Sequence, residues 1–161
     1  WVIVVTEERL KSVFGAVWTR FLEFEITRSK LMCEVAGTPL SALILQVVAY
    51  HNLTLVQAAV KDKTYSRIRS AWELNDDVLT QHLPQHLSFA AIADITGVDK
   101  ETVRRSVKKL EAQGWVCIDQ KTGISYNPTQ INQDKLLKLN EWELTHLGRL
   151  LKRLNDASNA G

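Results

Sequence analysis

A mainly α-helical protein with one small β-hairpin is what this sequence predicts. Apolar residues recur at helical spacing toward both ends of the chain. A later segment alternates as two short strands about a Lys-Thr-Gly turn, and Gly37, Pro39, Pro84, Gly97 and Gly114 punctuate the stretches between. The 161 residues are about one domain's length. With 45% hydrophobic and 24% charged residues, the composition excludes wholesale disorder and fibrous repeats.

The first helix is expected from Glu7 to Leu31, with Leu10, Val13, Phe14, Val17, Phe21 and Phe24 on one face and Thr6 as its N-cap. Gly37 ends that pattern. Thr38-Pro39 is a cap followed by proline at the first helical position, so a second helix is expected from Pro39 to about His51. Its residues Leu40, Leu43, Ile44, Val47, Val48 and Tyr50 cover most of its circumference, which predicts the most buried helix of the protein. Its apolar run, Leu40 to Tyr50, is shorter than a bilayer crossing needs, so no transmembrane helix is expected.

Between Asn52 and Gln85 the pattern is weakest. Thr54 is expected to cap a short helix through Val60, and Thr64 or Ser66 to start another carrying Ile68, Ala71, Trp72 and Leu74. Asn75-Asp76-Asp77 then reads as a break before a last turn or two with Val78, Leu79 and Leu83.

From Leu87 onward each position has a physical reading. Ser88 caps a short helix with Phe89, Ile92 and Ala93 inward. Gly97 supplies the positive φ of a tight turn, and Val98 fills the angle between two helices. Asp99 caps the second helix, which buries Val103, Val107 and Leu110 and ends at Gly114. Trp115 to Ile118 alternates as a strand, Lys121-Thr122-Gly123 turns, and Ile124 to Tyr126 returns.

Two short helices joined by a glycine turn and followed directly by a hairpin form a winged helix-turn-helix. Over residues 87–127 the chain resembles the winged helix-turn-helix transcription regulators of bacteria, the broad group that holds the MarR-like and GntR-like families. Ile92-Ala93, Thr96-Gly97-Val98, Glu101-Thr102-Val103-Arg104-Arg105, Leu110-Glu111 and Gly114-Trp115-Val116 carry the match. The resemblance implies a regulator of transcription that binds double-stranded DNA and reads the major groove with residues 100–113.

Charge points the same way. Lys100, Arg104, Arg105, Lys108 and Lys109 stand against Glu101 alone, giving +4 over ten residues in a chain whose net charge is +2. With Val103 at zero on a helical wheel, Val107 and Leu110 fall at about +40° and −20°. Glu101, Arg105 and Lys108 fall at about 160°, 200° and 140°, opposite the core, with Arg104 and Lys109 on the flanks. Arg105 suits a bidentate contact to guanine, and Glu101 suits a cytosine amino group or an ion pair that orients Arg105 one turn away. The resemblance implies base contacts from Lys100, Glu101 and Arg105, and phosphate contacts from Ser88, Thr102 and Arg104. Lys121 at the hairpin tip is a further candidate for the backbone or minor groove. The alternative is a winged helix that serves as a protein-interaction or scaffold module, in which apolar residues would stand in place of these cations.

The last helix is expected from Asn132 to about Asn155. Leu137, Leu144 and Leu151 repeat every seven residues, with Asn140, Leu147 and Leu154 between them, which is a heptad seam suited to a homodimer. Leu136, Trp142 and Leu150 give the helix a second face. The expected organisation is therefore residues 1–62 as an N-terminal helical region, 63–128 as the winged helix-turn-helix, and 129–161 as the C-terminal helix, with the two terminal regions forming a dimer body.

No catalytic motif, phosphate loop or metal-ligand spacing occurs, so neither enzymatic activity nor a metal or other cofactor is expected. Pro84 lies between His82 and His86 and spoils them as a helical ligand pair. Cys33 and Cys117 read as free thiols. A small-molecule effector pocket lined by Trp18, Phe21, Tyr50 or Trp72 competes with core packing for those aromatics, and packing is the stronger expectation. Trp1 to Val5 lacks the basic lead-in of a secretory signal, and a cytoplasmic location is expected, with a start upstream of the non-Met first residue.

Overall fold

In a computed structural model, which describes residues 6–61, 63–74 and 86–159, the protein is mainly helical with one two-stranded antiparallel hairpin. The described elements are α1 (Glu7–Ser12), α2 (Phe14–Ala36), α3 (Pro39–Ala59), α4 (Tyr65–Leu74), α5 (Phe89–Thr96), α6 (Lys100–Ala112), β1 (Val116–Asp119), β2 (Gly123–Tyr126) and α7 (Gln130–Asn159). The expected break at Asn75-Asp76-Asp77, the turn with Val78, Leu79 and Leu83, and the segment Trp1 to Val5 lie outside the described residues.

Three boundaries differ from the sequence expectation. The first helix is broken at Val13, where Ser12, β-branched Val13 and Gly15 cluster and weaken helix propensity, and its second part runs on to Ala36. Gly37, at φ +89°, then ends it, its N–H donating to the Cys33 carbonyl at 2.7 Å. The second helix, α3, begins as expected, with the Thr38 hydroxyl accepting from the Ser41 N–H, but continues to Ala59 instead of stopping near His51. Thr54 is not a cap. It sits inside α3 and donates its hydroxyl back to the His51 and Tyr50 carbonyls. The helix continues because Val56, eight residues after Val48 on the same face, is buried with Ala71 of α4. The C-terminal helix likewise extends beyond its expected ends.

At its full length α3 is long and apolar enough to cross a bilayer, with a mean hydropathy of 1.4 over 18 residues, which the shorter expected helix was not. Here it is the core helix. Ser41, Ala42, Ile44, Leu45, Val47, Val48 and Val56 are buried, and α4, α5, α6 and β2 all pack on it.

The chain divides into two compact units. Residues 33–136 form one, in which α3 supplies the surface on which the later helices and hairpin fold. Its core contains Leu87, Ile92, Val103, Val107, Leu110, Trp115, Val116, Ile124 and Tyr126, and Trp72 rests against the Tyr126 ring. Buried Asn132 at the start of α7 donates its side-chain amide to the Gly114 and Asn127 carbonyls.

Residues 1–32 and 137–161 form the other unit. Phe24 stacks on Trp142 at 5.4 Å, Trp142 on His146 at 4.2 Å, and Arg28 pairs with Glu143 at 2.7 Å. Glu23 meanwhile lies in the field of Arg153 and His146. Trp18 and Phe21, expected in a core, are exposed, as is Tyr50; Phe14, Trp18 and Phe21 form a stacked ladder on the surface of α2.

The hairpin pairs Val116 with Tyr126 and Asp119 with Gly123. Its position is fixed from outside by the Ile124 N–H, which donates to the Leu87 carbonyl at 2.9 Å. Gly123 sits at φ +79°, and a Cβ there would fall 2.7 Å from the Leu87 carbonyl oxygen. Gly123→Ala is therefore expected to cost more than the roughly 1–2 kcal/mol of left-handed strain alone, because the backbone of Leu87 must also move. Chemical denaturation compared with Gly148→Ala, where a Cβ meets nothing within 4 Å, checks this.

Candidate nucleic-acid interface

The glycine turn is built as its residues dictate. The Ser88 hydroxyl accepts from the Ala91 N–H at 3.1 Å to start α5, and Gly97 at φ +69° ends it, donating to the Ala93 carbonyl. Asp99 then caps α6, its carboxylate accepting the Thr102 N–H at 2.9 Å; that bond and the Thr102 hydroxyl hold the Asp99 carboxyl below the ordinary range. Val103, Val107 and Leu110 are fully buried in a stripe along α6. This stripe fixes the rotation of the helix. Lys100, Glu101, Arg105, Lys108 and Lys109 are exposed, and Thr102 and Arg104 half-buried, as the helical phase requires.

Glu101 differs from expectation in its partner. It does not orient Arg105 one turn away; its two carboxylate oxygens are taken by Arg104, three residues on, from Nε at 2.8 Å and Nη2 at 2.7 Å. Both spacings are within reach on a helix. The fork of the Arg104 guanidinium matches the carboxylate edge to edge, and it holds the Glu101 carboxyl below its usual range. Arg105 turns instead to the Thr102 hydroxyl, at 3.2 Å.

At the hairpin tip, the Asp119 carboxylate accepts the backbone N–H groups of Lys121 and Thr122 at 2.7 and 2.8 Å, which lowers its own pKa and stiffens the turn. Lys121 is exposed there. The arrangement offers exposed Arg105, Lys108 and Lys109 on the outer side of α6, Lys100 at its first turn, a Glu101–Arg104 ion pair beside them, and a further cation on a braced turn. Such a surface can hold phosphates and read base edges.

Cys117 is exposed on β1, but partial burial of its thiol and nearby Glu111 raise its pKa, which disfavours the thiolate an oxidant sensor needs. Of the seam residues, Leu144, Leu147 and Leu151 are exposed and Leu137 and Leu154 half-buried, while Leu139 and Leu150 on another face of α7 are buried. Comparison with family models, with curated proteins and with solved structures gives no match to this chain.

Proposed function

We propose that the chain is a winged helix-turn-helix regulator of transcription that binds double-stranded DNA, with α6 in the major groove and the hairpin against the backbone. One observation carries this reading. The helix that follows the Gly97 turn is anchored by a fully buried Val103-Val107-Leu110 stripe, while its opposite face presents Arg105 and Lys108 to solvent, with exposed Lys109 on its flank. A helix held from behind and charged in front meets the steric and electrostatic needs of groove entry. Titration of labelled duplex at increasing salt tests it, because each phosphate contact releases counterions on binding and a protein-only surface has no such steep dependence.

The reading includes a homodimer built on α2 and α7. On a helical wheel the exposed set Phe14, Trp18, Phe21, Leu22 and Ile26 of α2 lies about 120° from the face carrying Phe24 and Arg28. In α7 the exposed Leu144, Leu147 and Leu151 lie roughly 150° from the face carrying Trp142 and His146. Together the two sets leave on the order of 700 Å² of apolar side chain exposed, near one partner's share of a standard interface. A second copy packing there makes a four-helix bundle and presents two reading helices to DNA.

A further inference from the structure

We infer that Glu101 is a specificity-determining residue that competes with DNA phosphates for Arg104; this rests on the DNA-binding reading above. Arg104 projects from the flank of α6, where a cation would meet the backbone of a duplex docked on this helix. In the free protein its Nε–H and one Nη2–H are spent on Glu101, at 2.8 and 2.7 Å, in a two-point contact on a helix whose rotation the buried stripe fixes. Arg104 therefore meets a phosphate with its Nε edge already taken, through its remaining N–H groups or by giving up a carboxylate bond, and Glu101 brings a negative charge toward every phosphate that approaches. The acids also occupy the positive end of the helix. Asp99 holds the Thr102 N–H, and Glu101 stands in the first turn, so the N-terminal dipole that ordinarily attracts phosphate is already answered by the chain's own carboxylates.

Such an arrangement penalises binding that depends on phosphate contacts alone. A sequence presenting a base amino group to Glu101 supplies a donor for one carboxylate oxygen, and one guanidinium N–H is then released toward the backbone. Every base pair carries one such amino group in the major groove, on adenine or cytosine, so the exchange depends on where the sequence places it. Lys100, Lys108 and Lys109 lack this restraint, so the device acts on one cation and not on the general attraction.

The test is a double-mutant cycle read on random-sequence duplex at several salt concentrations, using Glu101→Gln, Arg104→Ala and the two combined. Gln keeps the size and helix propensity of Glu and loses its charge. Glu101→Gln is expected to bind random duplex about tenfold tighter, with a salt slope steeper by about one unit, since one further phosphate contact forms. Arg104→Ala is expected to change little in the wild-type background and to remove most of the gain in the Glu101→Gln background. That dependence on background separates competition for Arg104 from simple removal of a negative charge. An equal effect of Arg104→Ala in both backgrounds, or no gain from Glu101→Gln while wild type binds duplex with steep salt dependence, overturns the inference and leaves the DNA-binding reading standing. Absence of duplex binding by every variant removes both. Circular dichroism of Glu101→Gln, expected to match wild type, keeps a folding effect from passing as either result.

Discussion

Arg105→Ala weakens binding to the preferred duplex site by roughly 5- to 150-fold, about 1–3 kcal/mol, and flattens discrimination at one base pair. The expectation follows from where the side chain stands. Arg105 lies opposite the buried stripe of α6 and is tied by one long hydrogen bond to the Thr102 hydroxyl, so its guanidinium can present a fork to guanine O6 and N7 at little internal cost. Arg104→Ala acts differently. With Arg104 held by Glu101, its loss is expected to be small on random sequence and larger on the preferred site, where Glu101 turns to a base, without loss of discrimination at the base pair read by Arg105. Titrating both variants against the preferred site and its single-base changes separates the two roles. Equal, sequence-independent losses would place the wrong face of α6 toward DNA.

Replacing Leu144 and Leu151 together with glutamate is expected to convert dimers into monomers without loss of helical content. Both side chains are exposed within a single chain, at 56% and 46%, so charge there costs the isolated fold little but cannot be buried against a second copy. Leu150→Glu serves as the contrasting change. It lies on the buried face of α7 and is expected to unfold the unit that it belongs to. Sedimentation at micromolar concentration gives the masses directly, with twice the 18.3 kDa chain expected for wild type. A folded dimer of the double variant contradicts the proposed face, and loss of its folding assigns these leucines to the monomer's own core.

The parts of the molecule legible in the sequence are those where local signals agree. In residues 87–127 the caps Ser88 and Asp99, the glycines at positive φ and the periodic apolar stripe all specify the same helices, and the observed elements match their expected bounds within a residue or two. The extension of α3 was hidden because His51, Asn52 and Thr54 look like a helix end by propensity, while the burial of Val56 that overrides them is a tertiary fact. The exposure of Trp18 and Phe21 was hidden for a related reason. Periodicity reports an apolar face but not which surface covers it, and here Phe24 and Trp142 take the intramolecular contact instead. The partner of Glu101 could not be read either, since arginines stand at both the third and fourth positions after it.

The most direct test of the central claim is the salt dependence of duplex binding by the wild-type chain and by a Lys108→Ala, Lys109→Ala, Lys121→Ala variant. If α6 and the hairpin tip hold the phosphate backbone, log Kd rises with log salt with a slope of about 3 to 5 per protomer, and the triple variant lowers that slope by about two to three units. Duplex affinity that does not change with salt, or a slope that the three substitutions leave unaltered, contradicts the account.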